Sequence, residues 1–220
     1  MGRGQTLRPA DRLDRRAADP TDLNDPTDRA AVSRAAILSA AKKLFAAKGY
    51  PATSMADIVT EAGTSVGLPY YHFGSKKGVF LTIWDEYQGR QQSRTASAVH
   101  QARKSGLTGA DLLLAGVRAY LEGAWADRAL LPMVHGAGRP PGFDKLMAEG
   151  AEQWNRQMLA LLAGYEGRLV VVALLMLTEG LSNVCLALST CRNQVQADGL
   201  IDNAVKLTRS LLETVPRSGP

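Results

Sequence analysis

Cysteine is scarce in this chain, with 2 in 220 residues, Cys185 and Cys191. So few exclude a disulfide framework and fit a reducing cytoplasm. Five residues lie between them, so on a helix they do not share a face, and they read as small buried hydrophobes or as a redox-sensitive pair. Long apolar runs are missing too. The longest, Leu169–Leu177, has nine residues and is closed by Thr178 and Glu179, whereas a membrane span needs about 20. Met1–Ala30 has no apolar h-region, so no secretion signal is read and a soluble, cytoplasmic protein without membrane contact is expected. Histidine occurs only at His72, His100 and His135, without H-x₃-H or C-x₂-C spacing, so no metal site is expected. Gly136–Gly142 (GAGRPPG) lacks the spacing of a dinucleotide fingerprint and no strand leads into it, so no cofactor is expected. No segment alternates as a strand does.

What is present is a large apolar share, 45%, enough for a real core, and an uneven charge. The formal net charge is +5. Residues 1–30 carry six arginines and six aspartates, which cancel, and residues 78–220 carry a net +1. The stretch 31–77 holds Arg34, Lys42, Lys43, Lys48, Lys76 and Lys77 against Asp57 and Glu61, a net +4. A local basic surface is the footprint expected of a phosphate-binding module, although a solvated face is the commoner source of such a cluster.

Residues 1–24 are polar, rich in Arg and Asp and aperiodic, and read as a disordered tail. Asp25-Pro26 starts the first helix. Ile37, Leu38, Ala41, Leu44 and Phe45 follow at helical spacing, Gly49 stops it and Pro51 prevents a restart. Ser54 with Asp57 forms a capping box for a second helix burying Met55, Ile58, Val59 and Ala62 and ending at Gly63. Ser65 can cap a third short helix through His72. Ser75 caps a fourth with Val79, Phe80, Ile83, Trp84 and Tyr87. Further helices are expected near 76–103, 108–127, 129–135, 143–163, 167–191 and 198–215. Two short helices joined by a tight turn with glycine are the helix-turn-helix pattern. Gly63 permits the positive φ that redirects the chain, and the second helix can then enter a major groove about 12 Å wide.

The run from Ile37 to Phe80, ILSAAKKLFAAKGYPATSMADIVTEAGTSVGLPYYHFGSKKGVF, resembles the DNA-binding domain of the TetR family of repressors. Ile37-Leu38, Ala40-Ala41, Leu44-Phe45, Gly49-Tyr50, Thr53-Ser54, Ile58, Ala62-Gly63, Ser65, Gly67, Tyr70, His72-Phe73 and Ser75-Lys76 carry the likeness, in ungapped register. The chain departs from the family pattern at Val59, commonly Ala, at Thr64, commonly Val, at Pro69, commonly Leu, and at Gly78, commonly Glu. With Ser65 as cap, Pro69 falls at the fourth helical position and the helix is expected to begin late or tightly.

The resemblance implies an all-α fold with an N-terminal three-helix helix-turn-helix domain over 25–75. A larger helical ligand-binding and dimerisation domain follows over 76–220. It implies a homodimeric, ligand-responsive regulator that grips a palindromic operator on double-stranded DNA and is released by a small apolar effector. Thr53 and Ser54 would cap the second helix and touch phosphate. Ser65, Val66, Gly67 and Leu68 would face base edges, Tyr70, Tyr71 and His72 would meet phosphates or bases, and Lys76 would hold the backbone. The reading helix has no Arg, Asn or Gln for bidentate contacts, so phosphate contacts and DNA shape are expected to carry much of the specificity.

Two other readings share these residues. Gly63-Thr64-Ser65-Val66-Gly67 matches the hydrolase pattern G-x-S-x-G, which needs a strand before the serine; a helix is expected there. A dimeric small-molecule-binding or protein-interaction module without operator binding keeps the fold and changes the function. In the second half, helix 167–191 is apolar around much of its surface, and helix 198–215 carries Leu200, Ile201, Ala204, Leu207, Leu211, Leu212 and Val215 as a stripe. The resemblance implies that these two pair across a two-fold axis. Trp84, Tyr87, Tyr120, Trp125, Met133, Trp154, Met158 and Asn183 are the candidate effector contacts, and plain core is their alternative reading.

Overall fold

The computed structural model describes residues 26–162, 164–165 and 167–217; the tail expected at 1–24 and the cap at Asp25 lie outside them. The described residues form nine α-helices and one 3₁₀ turn. They are α1 (Pro26–Ala52), α2 (Met55–Ala62), α3 (Gly67–Phe73), α4 (Lys76–Lys104), α5 (Ala110–Ala126), the 3₁₀ turn (Arg128–Leu130), α6 (Leu131–His135), α7 (Phe143–Leu161), α8 (Arg168–Leu188) and α9 (Gln194–Glu213). The all-α reading therefore holds.

Several boundaries differ from expectation for local reasons. Gly49 has φ 79° and ψ 163°, which kinks α1, yet a further helical turn runs on through Pro51 to Ala52. The third helix starts at Gly67, not after Ser65: Val66 is the cap residue, in helical geometry and without a side-chain bond. Pro69 thereby falls within the first turn, where the N–H it lacks has no intrahelical partner to lose. The helix expected at 198 begins at Gln194, because the Asn193 side chain accepts from Gln196 N at 3.0 Å. The helix expected to reach residue 191 ends at Leu188.

One core runs through the molecule. α1 contributes Ile37, Leu38, Ala41 and Phe45, α2 contributes Ile58, and α4 contributes Val79, Phe80, Ile83, Trp84 and Tyr87, all buried. The α4 set recurs at helical spacing on one face, so α4 is shared by the helix-turn-helix and the body. α5 lies along α4, and α9 is tied to α5 by Arg118–Asp202 at 2.7 Å and Arg209–Asp111 at 3.1 Å. Helix α8 is long and apolar enough to cross a bilayer by length and composition alone. In the fold, Val170, Leu174, Leu177, Leu181 and Leu188 face the core, whereas Val172, Leu175 and Met176 are exposed. It is therefore apolar on both faces and buried on one.

Gly78 departs from the family pattern for a steric reason. A Cβ at this position would stand 1.9 Å from the Phe73 carbonyl oxygen, which is backbone and cannot swing aside. The close approach lets α4 start directly beneath α3, with Ser75 Oγ accepting from Gly78 N at 3.0 Å. Alanine ordinarily favours a helix over glycine by about 1 kcal/mol. Here Gly78→Ala is expected to destabilise the protein by about 1–3 kcal/mol through overpacking. Urea denaturation checks this, and a more stable variant would remove the contact from the account.

His135, at the end of α6, has its Nε2 buried without a hydrogen-bond partner. Burial, and then the nearby Arg139 charge, lower its pKa from 6.5 to about 4. Between those two values the unfolded chain binds more protons than the folded one, so stability falls as pH drops through that window. A His135→Leu variant is expected to flatten that part of the stability-against-pH curve. An unchanged slope in denaturation at stepped pH would contradict it.

Candidate nucleic-acid interface

The turn between α2 and α3 is built from its caps. Ser54 Oγ accepts from Asp57 N at 3.1 Å while Asp57 Oδ2 accepts from Ser54 N at 2.7 Å, a complete capping box. The bond from Lys48 Nζ at 2.8 Å, and after it the two cap bonds, hold the Asp57 carboxyl well below the usual carboxylate range. Gly63 ends α2 at φ 63°, ψ 32°, a left-handed conformation that glycine takes without strain. The chain then re-enters a helix at Gly67.

The candidate residues divide into an outward and an inward set. Ser65, Val66, Gly67, Tyr70 and Tyr71 are exposed, Tyr71 at 82%. Large apolar side chains left in water on a seven-residue helix are unusual where a core lies adjacent. His72 is half-buried, with Nε2 2.9 Å from Ser33 Oγ of α1 and its ring edge-on to Tyr71. Leu68 packs half-buried against the core. Ser54 is exposed, but its hydroxyl is engaged in the cap. Thr53 is 1% exposed and its Oγ1 donates to Gly49 O at 2.8 Å, so this hydroxyl closes the α1 kink. Lys76 also turns inward. Its Nζ donates to Tyr50 O at 2.8 Å and Thr53 O at 2.6 Å and lies 4.2 Å from the Tyr50 ring centre.

The basic excess of residues 31–77 is likewise engaged. Arg34 and Lys42 share Glu86, Lys43 pairs with Glu61, Lys48 pairs with Asp57, and Lys77 Nζ donates to Pro141 O at 2.9 Å. Surface pairs of this kind are worth roughly 0–1 kcal/mol, so exchange for a stronger anion is cheap. A charge count along the chain does not see these partners, and it does not see Ser33 or Glu86, whose roles arise from the packing of α1 on α3 and α4. Gly136–Gly142, legible in the sequence only as a break, sits against this region: a Cβ on Gly138 would lie 2.9 Å from the Pro51 ring.

Ser65 lies after α2, a helix. The strand that G-x-S-x-G requires is missing among the described residues, and the hydrolase reading loses its structural context.

Residues 37–83 match the model for bacterial regulatory proteins of the tetR family. Residues 37–83 thus carry a TetR-type DNA-binding domain by sequence. The repressor BdcR of Escherichia coli is 32% identical over 99 residues, 44% of this chain and 50% of that protein. The regulator QacR of Staphylococcus aureus is 40% identical over 58 residues, 26% and 31% respectively. The chain spans half or less of the length of the curated relatives it matches. Among solved structures, the fatty acid degradation regulator FadR from Bacillus halodurans aligns with TM-score 0.66 at 20% identity over 84% of this chain and 97% of that one. A TetR-like regulator from Rhodococcus aligns with TM-score 0.67 at 20% identity over 84% and 97%. At that identity these structures establish a shared TetR-like fold.

The candidate effector residues are placed together with one exception. Trp84, Tyr87, Trp125 and Met133 are buried, and Tyr120, Trp154 and Met158 pack half-buried against the same core. Trp125 Nε1 donates to Gln194 Oε1 at 2.6 Å. Asn183 is apart from them: it is exposed, and its Nδ2 donates to Glu179 O at 3.0 Å, because the phase of α8 turns this position outward. Cys185 is buried, and that burial pushes its thiol up to about 12, whereas Cys191 is half-buried.

The inward and outward sets behave differently on substitution. Lys76→Ala is expected to lose about 1–3 kcal/mol of stability, since it removes a cation from two carbonyl oxygens. Tyr71→Ala is expected to stay within about 0.5 kcal/mol of the parent. Thermal and urea unfolding of the two variants side by side check this, and equal losses would contradict the division.

Proposed function

We propose that this protein is a ligand-responsive, DNA-binding transcriptional regulator, acting as a repressor. In this reading residues 25–75 bind DNA, residues 76–220 bind effector and dimerise, and the homodimer grips a palindromic operator in the cytoplasm. The observation that carries it is α3: in a domain matching the TetR family, this short helix follows the Gly63 turn with Val66, Tyr70 and Tyr71 exposed. These side chains suit thymine methyls, sugars and phosphates, and Ser65 and the N-terminus of α3 add donors for phosphate. Lys76 supports the surface by fixing the backbone at Tyr50 and Thr53, and the Thr53 hydroxyl by fixing it at Gly49. The exposed apolar side of α8, with Met176 at 61% and Leu207 of α9 at 71%, supports pairing of two copies through these helices.

An effector acts in this scheme by favouring one of two states of the dimer. Without it, the two α3 helices stand about 34–36 Å apart, one turn of DNA. With it, the spacing changes, and a coupling of about 1–3 kcal/mol weakens binding roughly 5–150-fold. The loop 136–142, seated on Pro51 and Lys77, is a direct mechanical link from α6 and α7 to the reading unit.

Fluorescence anisotropy with the promoter DNA beside the protein's own gene, at several salt concentrations, tests the proposal. Tight, salt-sensitive binding to a palindrome is expected, weakened about tenfold or more in Tyr71→Ala, as for loss of roughly 1.4 kcal/mol. If a genome-wide binding selection yields only weak, sequence-independent affinity, the chain is instead a dimeric ligand-binding module.

A further inference from the structure

Gln91 sits midway along α4 and is 3% exposed. Its Nε2 donates to Tyr87 Oη at 3.0 Å and, less closely, to the Tyr120 carbonyl at 3.4 Å. Its Oε1 has no hydrogen-bond partner. Tyr87 Oη can pair with either end of the amide, but turning it over would set Oε1 against the Tyr120 carbonyl oxygen, acceptor to acceptor, so that carbonyl favours the present orientation. An acceptor buried without a donor destabilises a fold, and nothing in the helix-turn-helix needs this one.

Oε1 is directed at Gly123 of α5: a Cβ there would lie 2.2 Å from it. Gly123 also lines an open groove of about 570 Å³ between α4 and α5, with Ser93, Ser97, Ala119 and Glu122 around it. The Arg94 side chain lies against the same point, with Cδ 2.9 Å and Nη1 3.1 Å from that Cβ position. What covers Gly123 is thus a long, partly exposed side chain and not backbone. Arg94 is held by Asp127 at 2.6 Å and by Gly123 O at 3.2 Å. Asp127 keeps Arg90, at 3.0 Å, when Arg94 moves, so displacement of Arg94 strands no charge.

We propose that the α4–α5 groove admits the effector and that Gln91 Oε1 is its polar anchor, selecting a small, mainly apolar molecule that carries a hydroxyl or amide N–H donor. The molecule moves Arg94 off Gly123 and donates to Oε1, while its apolar body lies against Ala98, Ala119 and Ala126. An acceptor-only molecule leaves Gln91 unpaired and is rejected. This inference rests on the ligand-responsive reading above and specifies the chemistry of the ligand.

The test titrates the full-length protein with 2-naphthol, followed by fluorescence, beside 2-methoxynaphthalene, which has the same rings and no donor. Naphthol is expected to bind about tenfold more tightly, the ratio one buried hydrogen bond supports. Gln91→Met, similar in length and without the acceptor, is expected to erase the preference and to unfold at a higher temperature than the parent. Arg94→Ala, at a partly exposed position, is expected to tighten naphthol binding severalfold. Equal affinity for the two probes, no binding of either up to its solubility, a preference that survives Gln91→Met, or unchanged affinity in Arg94→Ala overturns the proposal. Anisotropy with operator DNA on the same samples separates the two levels: salt-sensitive DNA binding without donor selectivity removes this anchor alone, while loss of both removes the regulator reading.

Discussion

The structure depends on a continuous chain of aromatic contacts threaded through α4. Tyr50 and Phe45 of α1 meet Phe80 at ring separations of 5.3 and 5.9 Å, Phe80 meets Phe143 at 5.0 Å, and Phe143 meets Trp84 at 5.2 Å. Several of these pairs are edge-to-face, the geometry that aromatic quadrupoles favour. Because α4 supplies the central rings, the helix-turn-helix is not hung from the body by a flexible linker. A rotation of α4 would have to carry Phe143, and with it the start of α7, so the two halves move as coupled parts of one core.

The polar contacts divide by strength around that core. Lys76 donates to two carbonyl oxygens just after the α1 kink, those of Tyr50 and Thr53, and this is architecture. Arg34, Lys42, Lys43 and Lys48 are in ion pairs at the surface, where water competes and little energy is stored. Pairs of the latter kind can be exchanged without loss of the fold. A basic stretch in a sequence therefore mixes cations of two kinds, and only the packing of α1 on α2 and α4 sorts them.

The body shows a similar contrast. Most of its interior is closed apolar packing, with Leu113, Val117, Leu121 and Leu174 buried. Gln91 and His135 interrupt it with buried atoms that have no partner. Each is a local conflict with good packing, and such conflicts in natural proteins gather where function overrides stability.

Much was legible before the fold was known. Periodic apolar residues located the long helices, the Ser54–Asp57 box and Gly63 marked the turn, and the register of Ile37 to Phe80 pointed to the TetR family, because these signals are local and repeat at helical spacing. The Asn193 cap is local, its bond reaching only to Gln196 N, and was a signal passed over; the late start of α3 and the need for glycine at 78 were not legible, since they are decided by how the chain turns from α2 into α3 and from α3 into α4. The same holds at the candidate sites. Sequence alone determined that an all-α chain with a helix-turn-helix was present and which side chains stood near its third helix. Tertiary structure decided that Thr53 and Lys76 turn inward, that Tyr70 and Tyr71 face water, that Asn183 leaves the core, and that Gln91 Oε1 meets a glycine beside a groove. Direction and partnership depend on how helices pack against one another, and residues far apart in the chain supply those neighbours.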